Sequence, residues 1–251
     1  MPAVILDFLL LAASLAGPAD QFYRSGVALF EQGKLDAALA ALERAVRAQP
    51  NHAAAWKALG VVYAAQGDAP LAEPAFREAC RLAPSLADAC FYHGRALYLL
   101  NRFDEAIGVL SRIAKDDPRA HRVIALSLGG LGRWPEAETE FKTAIRLYRR
   151  GEDPRIDYGV AMMRQGRPGE SLAPLEAALR GAPDSARAHL ELGRALVQLE
   201  RLEPALVHLE RAVAVDPKSA SARLLLGKLY LRLGRPEQAE PHLRAGAREA
   251  K

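Results

Sequence analysis

Residues 53–84 read AAAWKALGVVYAAQGDAPLAEPAFREACRLAP and contain two short apolar patterns with helical spacing. The apolar or small residues that recur every three or four positions are Trp56, Leu59, Gly60 and Tyr63 in the first half, and Ala72, Phe76, Ala79 and Ala83 in the second. Such spacing predicts two amphipathic helices. Gly67 lies in the break between them, and Pro84 ends the second because proline cannot continue a helix. The segment therefore predicts a helical hairpin that is stabilised mainly by packing.

This pattern occurs seven times between Asp20 and Lys251, with a period close to 34 residues. One column is almost all glycine, a second is almost all alanine, and a third holds bulky apolar residues. The columns are Gly26, Gly60, Gly94, Ala125, Gly159, Gly193 and Gly227; Ala38, Ala72, Ala106, Ala137, Ser171, Ala205 and Ala239; and Leu42, Phe76, Leu110, Phe141, Leu175, Leu209 and Leu243. A fixed period of this length is typical of a solenoid, in which each unit buries its apolar face by stacking on its neighbours.

The segment 53–84 resembles the complete motif of the tetratricopeptide-repeat (TPR) family, and the other six units match the motif in part. The matching residues are Trp56, Leu59, Gly60, Tyr63, Gly67, Ala72, Phe76, Ala79 and Pro84. The resemblance implies an all-α, right-handed superhelical solenoid of about seven antiparallel helix pairs, with the first helix of each pair on the concave face. After residues 1–17, the solenoid of residues 18–251 divides into the approximate repeats 19–52, 53–86, 87–117, 118–151, 152–185, 186–219 and 220–251.

Two departures from the period stand close together. Ala106 and Ala137 are separated by 31 residues, so the connection between the third and fourth units is short. Asp117 followed by Pro118 predicts an N-cap and a first helical residue, and hence an early helix start with local irregularity. The pair at residues 129–130 is Gly-Gly, which indicates either an early helix end or a gap at which a ligand backbone or a hinge is accommodated.

Residues 4–16 are apolar apart from Asp7 and Ser14. The stretch is too short to span a bilayer, but it is similar to the core of a signal peptide with a cleavage site after Ala16. Residues 1–3 lack the usual Lys or Arg, so an extra helix packed on the first repeat is the alternative. The signal peptide predicts a bacterial periplasmic or secreted protein without a transmembrane anchor, and the alternative predicts a cytoplasmic one.

Cys80 and Cys90 lie in neighbouring predicted helices. They are candidates for a disulfide, which would persist in an oxidising compartment. Alternatively, both are small buried apolar residues. A metal site that also uses His93 is disfavoured, because no fourth ligand is visible and the spacing matches no common zinc site.

No catalytic motif is present in the sequence. The six histidines are scattered along the chain, and neither HExxH, G-x-S-x-G, a Walker loop nor a dinucleotide-binding glycine motif occurs. The sequence therefore predicts a non-enzymatic protein without a cofactor or a metal.

Helical phase assigns apolar, aromatic and basic residues to the concave face. These residues are Tyr23, Val27, Phe30, Lys57, Val61, Phe91, Arg95, Tyr98, Arg122, Leu126, Ile156, Val160, Met163, Arg164, Leu190, Arg194, Val197, Leu224, Lys228 and Leu231. Part of the apolar set packs between units, and the remainder predicts a groove for a peptide or a partner helix. The arginines favour acidic groups or a C-terminal carboxylate.

Other partners are less well supported. The lysine position of the chaperone-binding TPR clamp is matched by Lys57, but Val61 stands where that clamp has asparagine. A net charge of +4 and the basic cluster Lys142, Arg146, Arg149 and Arg150 raise nucleic acid or an anionic surface as an alternative, but acidic residues are nearly as numerous as basic ones. Self-assembly through the ends of the stack is a third possibility.

Overall fold

The structure, a computed structural model, describes residues 17–249. Within this range the chain forms fourteen α-helices, one short 3-10 helix and no strand. The helices are α1 (Pro18–Glu31), α2 (Leu35–Ala48), α3 (Ala53–Ala65), α4 (Ala69–Leu82), α5 (Ala87–Leu99), α6 (Phe103–Leu110), α7 (Pro118–Gly130), α8 (Trp134–Leu147), α9 (Pro154–Arg164), α10 (Pro168–Gly181), α11 (Ala186–Gln198), α12 (Leu202–Val215), α13 (Ala220–Arg232) and α14 (Pro236–Glu249). The candidate signal peptide or extra helix lies outside the described residues.

Within the described residues, the chain divides into two compact units, residues 17–140 and 141–249. Within each unit, helices that follow one another in sequence pack together, and so do successive first helices, such as α1 and α3 or α9 and α11. Each unit has its own apolar core. The all-α helix-pair architecture that the sequence predicts is therefore present.

The glycine column exists because a bulky side chain packs directly on each of these glycines. A methyl group added at Gly60 would lie 2.7 Å from the ring of Phe76, which is closer than carbon atoms can approach. The same contact recurs, at 2.4–2.7 Å from the leucine side chain, for Gly26 on Leu42, Gly94 on Leu110, Gly159 on Leu175, Gly193 on Leu209 and Gly227 on Leu243. The third column thus packs on the first inside these six helix pairs, which fixes how closely the two helices of each approach.

The short connection after the third repeat is irregular, as its sequence predicts. Helix α6 has only eight residues, and a 3-10 helix, Ala114–Asp116, follows it. The carboxylate of Asp117 caps α7 by accepting a hydrogen bond from the main-chain N–H of Arg119 at 2.8 Å, and Pro118 is the first helical residue. The cap and the proline together begin the next helix early.

The expectation of an early helix end at Gly129–Gly130 was wrong. Helix α7 includes both glycines and ends at Gly130. A methyl group at Gly129 would lie 2.9 Å from the ring of Trp134, and one at Gly130 would lie 2.6 Å from the ring of Phe103. Two aromatic rings occupy this space, so the glycines provide no gap for a ligand backbone.

Candidate functional site

In the second unit, the first helices α9 and α11 pack side by side and form a cleft of about 160 Å³. We call it the Glu191 cleft. It is lined by Val160, Met163, Arg164, Glu191, Arg194 and Gln198. The cleft thus combines an apolar wall with two guanidinium groups, one carboxyl group and one amide group.

Glu191 is the unusual member of this cleft, because it is only 9% exposed. The side chain of Arg194 forms an ion pair with it, with 3.6 Å between Nε and Oε2. Among the described residues, no group donates a hydrogen bond to Oε2. Burial raises the pKa of the Glu191 carboxyl, and the positive charges of Arg194 and Arg187 oppose that rise.

A second buried carboxylate lies nearby on α9 and has a partner. Asp157 is 5% exposed and forms an ion pair with the more exposed side chain of Arg187. Its negative charge contributes to the raised pKa of Glu191. The two buried acids therefore differ in their hydrogen bonding. The charge of Asp157 is neutralised by a hydrogen-bonded arginine, whereas one carboxylate oxygen of Glu191 has no donor among the described residues.

The first unit contains another cleft, of about 120 Å³, which we call the Arg95 cleft. Its lining residues are Ala64, Gly67, Ala69, Ala72, Phe76, Tyr92, Arg95, Ala96 and Leu99. The rings of Phe76 and Tyr92 stack with 5.2 Å between their centroids and form its apolar wall. Arg95 is exposed, and Leu99 is 56% exposed, so cationic and apolar surface adjoin here as well.

Of the residues predicted for partner binding, the structure brings Met163, Arg164 and Arg194 together in the Glu191 cleft, while Arg95 lines the other cleft. Most of the others are half-buried and in part support the core: Tyr23, Phe30, Lys57, Val61, Tyr98, Arg122 and Leu190. Lys228 is exposed on α13. The predicted set is therefore dispersed over each unit, and only some of its members form a cleft.

Three of the predicted residues need correction, because Phe91, Ile156 and Met163 are 6%, 5% and 8% exposed. The guanidinium of Arg119 covers the ring of Phe91, with 4.6 Å from its central carbon to the ring centroid. Met163 presents only a small part of its side chain to the Glu191 cleft. Helical phase assigns a residue to one side of its helix, but it does not give the depth to which neighbouring elements cover that residue.

Cys80 and Cys90 are joined by a disulfide in the structure, with 4.7 Å between their Cα atoms. The bond connects the last turn of α4 to the first turn of α5. His93 is buried and lies 3.0 Å from a carboxylate oxygen of Glu73. Within residues 17–249, no group of three or more His, Cys, Asp or Glu side chains is placed to hold a metal ion.

Glu191 was missed as a lining residue of the cleft and the burial of Asp157 was missed, although the sequence contained a usable signal. Both stand two positions before the glycine column, where the other units have Arg24, Ala58, Tyr92, Val123 and Leu225. An acidic residue at a position that mostly carries apolar residues costs free energy unless it is paired. That contrast is visible in the repeat alignment and is sufficient to mark both positions.

Sequence models of two kinds, described as "Tetratricopeptide repeat" and "TPR repeat", match this chain. One model described as "Tetratricopeptide repeat" matches residues 23–87 and 159–208, and another with the same description matches residues 63–127. The model described as "TPR repeat" matches residues 193–234. Together they cover more than half of the chain, in agreement with the helix pairs described above. The chain belongs to the tetratricopeptide-repeat family.

Solved TPR structures share the fold at low sequence identity. A tetratricopeptide repeat protein from Parabacteroides merdae is 15% identical, with a TM-score of 0.76 over 94% of both chains. A chain of the Cut9–Hcn1 hetero-tetramer is 17% identical and aligns with a TM-score of 0.68. The alignment covers 89% of the present chain and 45% of that chain. MamA from Desulfovibrio magneticus is 24% identical, with a TM-score of 0.54 over 65% of this chain and 94% of its own.

No curated protein sequence matches the chain. TPR repeats typically mediate protein–protein interaction, and the fold generally acts as a scaffold and not as an enzyme. Among the described residues, no helix is both long and apolar enough to cross a membrane.

Proposed function

We propose that this TPR protein is a non-enzymatic interaction scaffold whose first helices bind an extended peptide or a partner helix. The observation that carries the proposal is that each unit contains a cleft in which apolar side chains adjoin arginine, and these arginines stand on first helices, which the TPR resemblance assigns to the concave face. Apolar walls provide affinity by excluding water, and a few fixed polar groups provide orientation.

The arginines indicate the chemistry of the partner. Arg95 and Arg164 are exposed, and neither forms an ion pair with another residue between positions 17 and 249. A guanidinium binds a carboxylate through two parallel hydrogen bonds, which lysine cannot reproduce. An acidic segment is therefore the favoured ligand, and basic segments are repelled.

A displayed library of random twelve-residue peptides, selected on the purified protein, tests the proposal. We expect the selected peptides to combine acidic and apolar residues. Charge reversal by Arg95→Glu or Arg164→Glu is expected to weaken their binding about ten-fold or more, because a desolvated charge pair becomes a repulsion. The matched control is Arg180→Glu, an exposed arginine on the second helix α10, which should bind as the unchanged protein does.

Three results would contradict the proposal. Peptides that bind equally well to all three variants use a surface other than these clefts. Enrichment of basic peptides would show that the arginines do not recognise the ligand. Binding of a nucleic acid that weakens steeply with salt, with no peptide selected at all, would favour the alternative partner class.

We also propose that the protein is exported to an oxidising compartment. Two independent features support this: residues 4–16 are similar to the core of a signal peptide, and Cys80 and Cys90 are positioned as a disulfide. Partners would then be proteins of the cell envelope or secreted proteins.

A further inference from the structure

A third cleft, bounded by α4, α5 and the end of α6, has a volume of about 390 Å³, compared with about 120 Å³ for the Arg95 cleft and about 160 Å³ for the Glu191 cleft. We call it the Cys90 pocket. The disulfide between Cys80 and Cys90 forms part of its wall, and Val109 and Ile113 add apolar surface. It shares no lining residue with the Arg95 cleft. The Cys90 pocket is therefore separate from the clefts that we propose for peptide binding.

Two departures from the repeat pattern meet at the Cys90 pocket. Cys90 stands where the preceding repeat has Trp56, and Cys80 stands where it has Val46. In that repeat, Trp56 packs against the core of which Val46 is part, whereas a cysteine side chain is much smaller than an indole. Helix α6 has eight residues, while the second helices α2 and α4 have 14, so the turn after α6 also borders the pocket. A small residue in a tryptophan column and a shortened helix together leave this space unfilled.

The other repeats show which polar contact the missing side chain would make. Four repeats end in a proline, and in three of them the residue six positions later donates a hydrogen bond from its side chain to the carbonyl oxygen of that proline. The donors are Trp56 Nε1 to Pro50 at 2.8 Å, His189 Nε2 to Pro183 at 2.9 Å, and Arg223 Nε to Pro217 at 2.5 Å. A ring or guanidinium N–H at this position is thus a recurring feature of the chain.

The fourth of these repeats ends in Pro84 and has no such donor. The Sγ atom of Cys90 lies 3.9 Å from the carbonyl oxygen of Pro84, but a sulfur atom in a disulfide carries no hydrogen. Pro84 lines the pocket, and its carbonyl oxygen has no side-chain donor among the described residues. The pocket therefore offers an acceptor beside the space that an indole fills in the preceding repeat.

Positive charge surrounds this space. Arg77, Arg81 and Arg112 line the pocket and are exposed, and neither an Asp nor a Glu is among its lining residues. Arg77 and Arg81 form ion pairs with Glu73 and Glu78, at 3.8 and 2.9 Å, on their own helix. Arg112 forms no ion pair with any residue between positions 17 and 249. An anionic group bound here would give Arg112 the bidentate partner that a guanidinium favours.

We propose that the Cys90 pocket binds a small aromatic carboxylic acid whose ring carries an N–H group. The ring takes the place that the indole of Trp56 has in the preceding repeat, and its N–H donates to the carbonyl oxygen of Pro84. The carboxylate of the ligand binds the arginines, chiefly Arg112. Apolar walls with a few fixed polar groups are the usual composition of a small-molecule site. This inference does not depend on the proposed function.

Three probes of similar size separate the two polar contacts. Indole-3-acetate has both the ring N–H and the carboxylate, 1-benzothiophene-3-acetate has sulfur in place of the N–H, and indole-3-acetamide keeps the N–H but has no charge. Titrations are followed through the isoleucine methyl signals in NMR spectra, because an aromatic ring shifts the signals of methyl groups on which it packs. Ile113 lines the pocket, and Ile156 in the second unit is the internal control.

We expect indole-3-acetate to shift the Ile113 signal in a saturable manner and to leave Ile156 unchanged. The benzothiophene acid and the amide should each bind about ten-fold more weakly, since each lacks one of the two polar contacts. Arg112→Glu should weaken the binding of indole-3-acetate about ten-fold or more, because attraction becomes repulsion. Arg180→Glu, on the second helix α10, is the matched control and should bind as the unchanged protein does.

Two double variants test the position of the ligand. Cys80→Val with Cys90→Trp restores the residue pair of the preceding repeat, and we expect it to abolish the Ile113 shift because its own indole fills the pocket. Cys80→Ala with Cys90→Ala removes the disulfide but leaves the space open, so binding should be retained. Thermal unfolding checks that both variants fold. The comparison of the three probes uses the unchanged protein and does not depend on either variant.

Three results would overturn the inference. Absence of a saturable Ile113 shift with indole-3-acetate would mean that the pocket does not bind this class of ligand. Equal affinity for the indole and benzothiophene acids would show that the carbonyl of Pro84 is not the acceptor. Binding retained after Cys80→Val with Cys90→Trp would place the ligand elsewhere. The peptide selection tests other residues, so the proposed function does not fail with any of these results.

Discussion

The turn inside each helix pair requires one residue with a positive φ, and in one repeat this residue is poorly suited to that conformation. The chain passes through a left-handed conformation there, and five repeats use glycine, with φ between 71° and 80°, at Gly33, Gly67, Gly132, Gly166 and Gly234. The other two repeats use Asn101 and Glu200, each with φ of 58°. Asparagine tolerates this conformation, but glutamate has no local compensation for the clash of its Cβ.

We predict that Glu200→Gly stabilises the protein by about 1 kcal/mol, the usual cost of a left-handed conformation for a residue with a Cβ. The variant also loses an exposed ion pair with Arg232, which contributes little. Urea unfolding followed by circular dichroism measures the change. Glu200→Ala is the matched control, since it removes the ion pair but keeps the strain; a glycine variant no more stable than the alanine variant would show that Glu200 is not strained.

At the scale of the helices, the sequence was a reliable guide wherever the packing contact recurs from repeat to repeat. Gly60 and Phe76 are sixteen residues apart, and their contact recurs with the period, so the columns alone predict it. Gly130 failed this test, because the ring that packs on it belongs to Phe103, which precedes it in another helix pair. Periodic reasoning predicts contacts that repeat, whereas a contact that occurs once requires the structure.

A histidine pair connects the two helices of the sixth repeat and makes their packing depend on pH. His189 on α11 donates from Nε2 to the main-chain oxygen of Pro183 at 2.9 Å, which leaves its Nδ1 to accept a hydrogen from Nδ1 of His208 at 3.1 Å. Burial lowers the pKa of His208, and the neighbouring His189 lowers it further, while the charge of Glu176 on α10 acts in the opposite direction.

A lowered pKa means that the unfolded chain binds more protons than the folded one between the folded-state pKa of His208 and the ordinary value of 6.5. We therefore predict that stability falls as the pH decreases from about 7.5 to 5.5. Urea unfolding at several pH values measures the slope, and NMR titration of the His208 ring gives its pKa directly. His208→Gln should reduce the slope, whereas an unchanged slope in that variant would assign the pH dependence to other groups, such as His93 and His242, whose pKa values are also lowered by burial.

At the scale of the whole molecule, repetition explains both what was predictable and what was not. Stacking of like units determines the fold, so seven imperfect copies of one pattern were sufficient to predict it. The Glu191 cleft contains a departure from repetition, an acid at position 191 where leucine stands at 225. The burial of Phe91 escaped prediction because it depends on a neighbouring side chain, that of Arg119.

The export proposal concerns the whole chain and is tested by one measurement. We predict that the intact mass of the protein, purified from its natural host without reduction and treated with a thiol-alkylating reagent, lacks about the first sixteen residues, because cleavage is expected after Ala16. We also expect no alkyl group to be added, since Cys80 and Cys90 are bonded to each other. Reduction before alkylation is the control and should add two groups. A full-length mass with two alkyl groups in the unreduced sample would contradict export; it would place the scaffold in a reducing compartment, with residues 4–16 retained as the alternative helix.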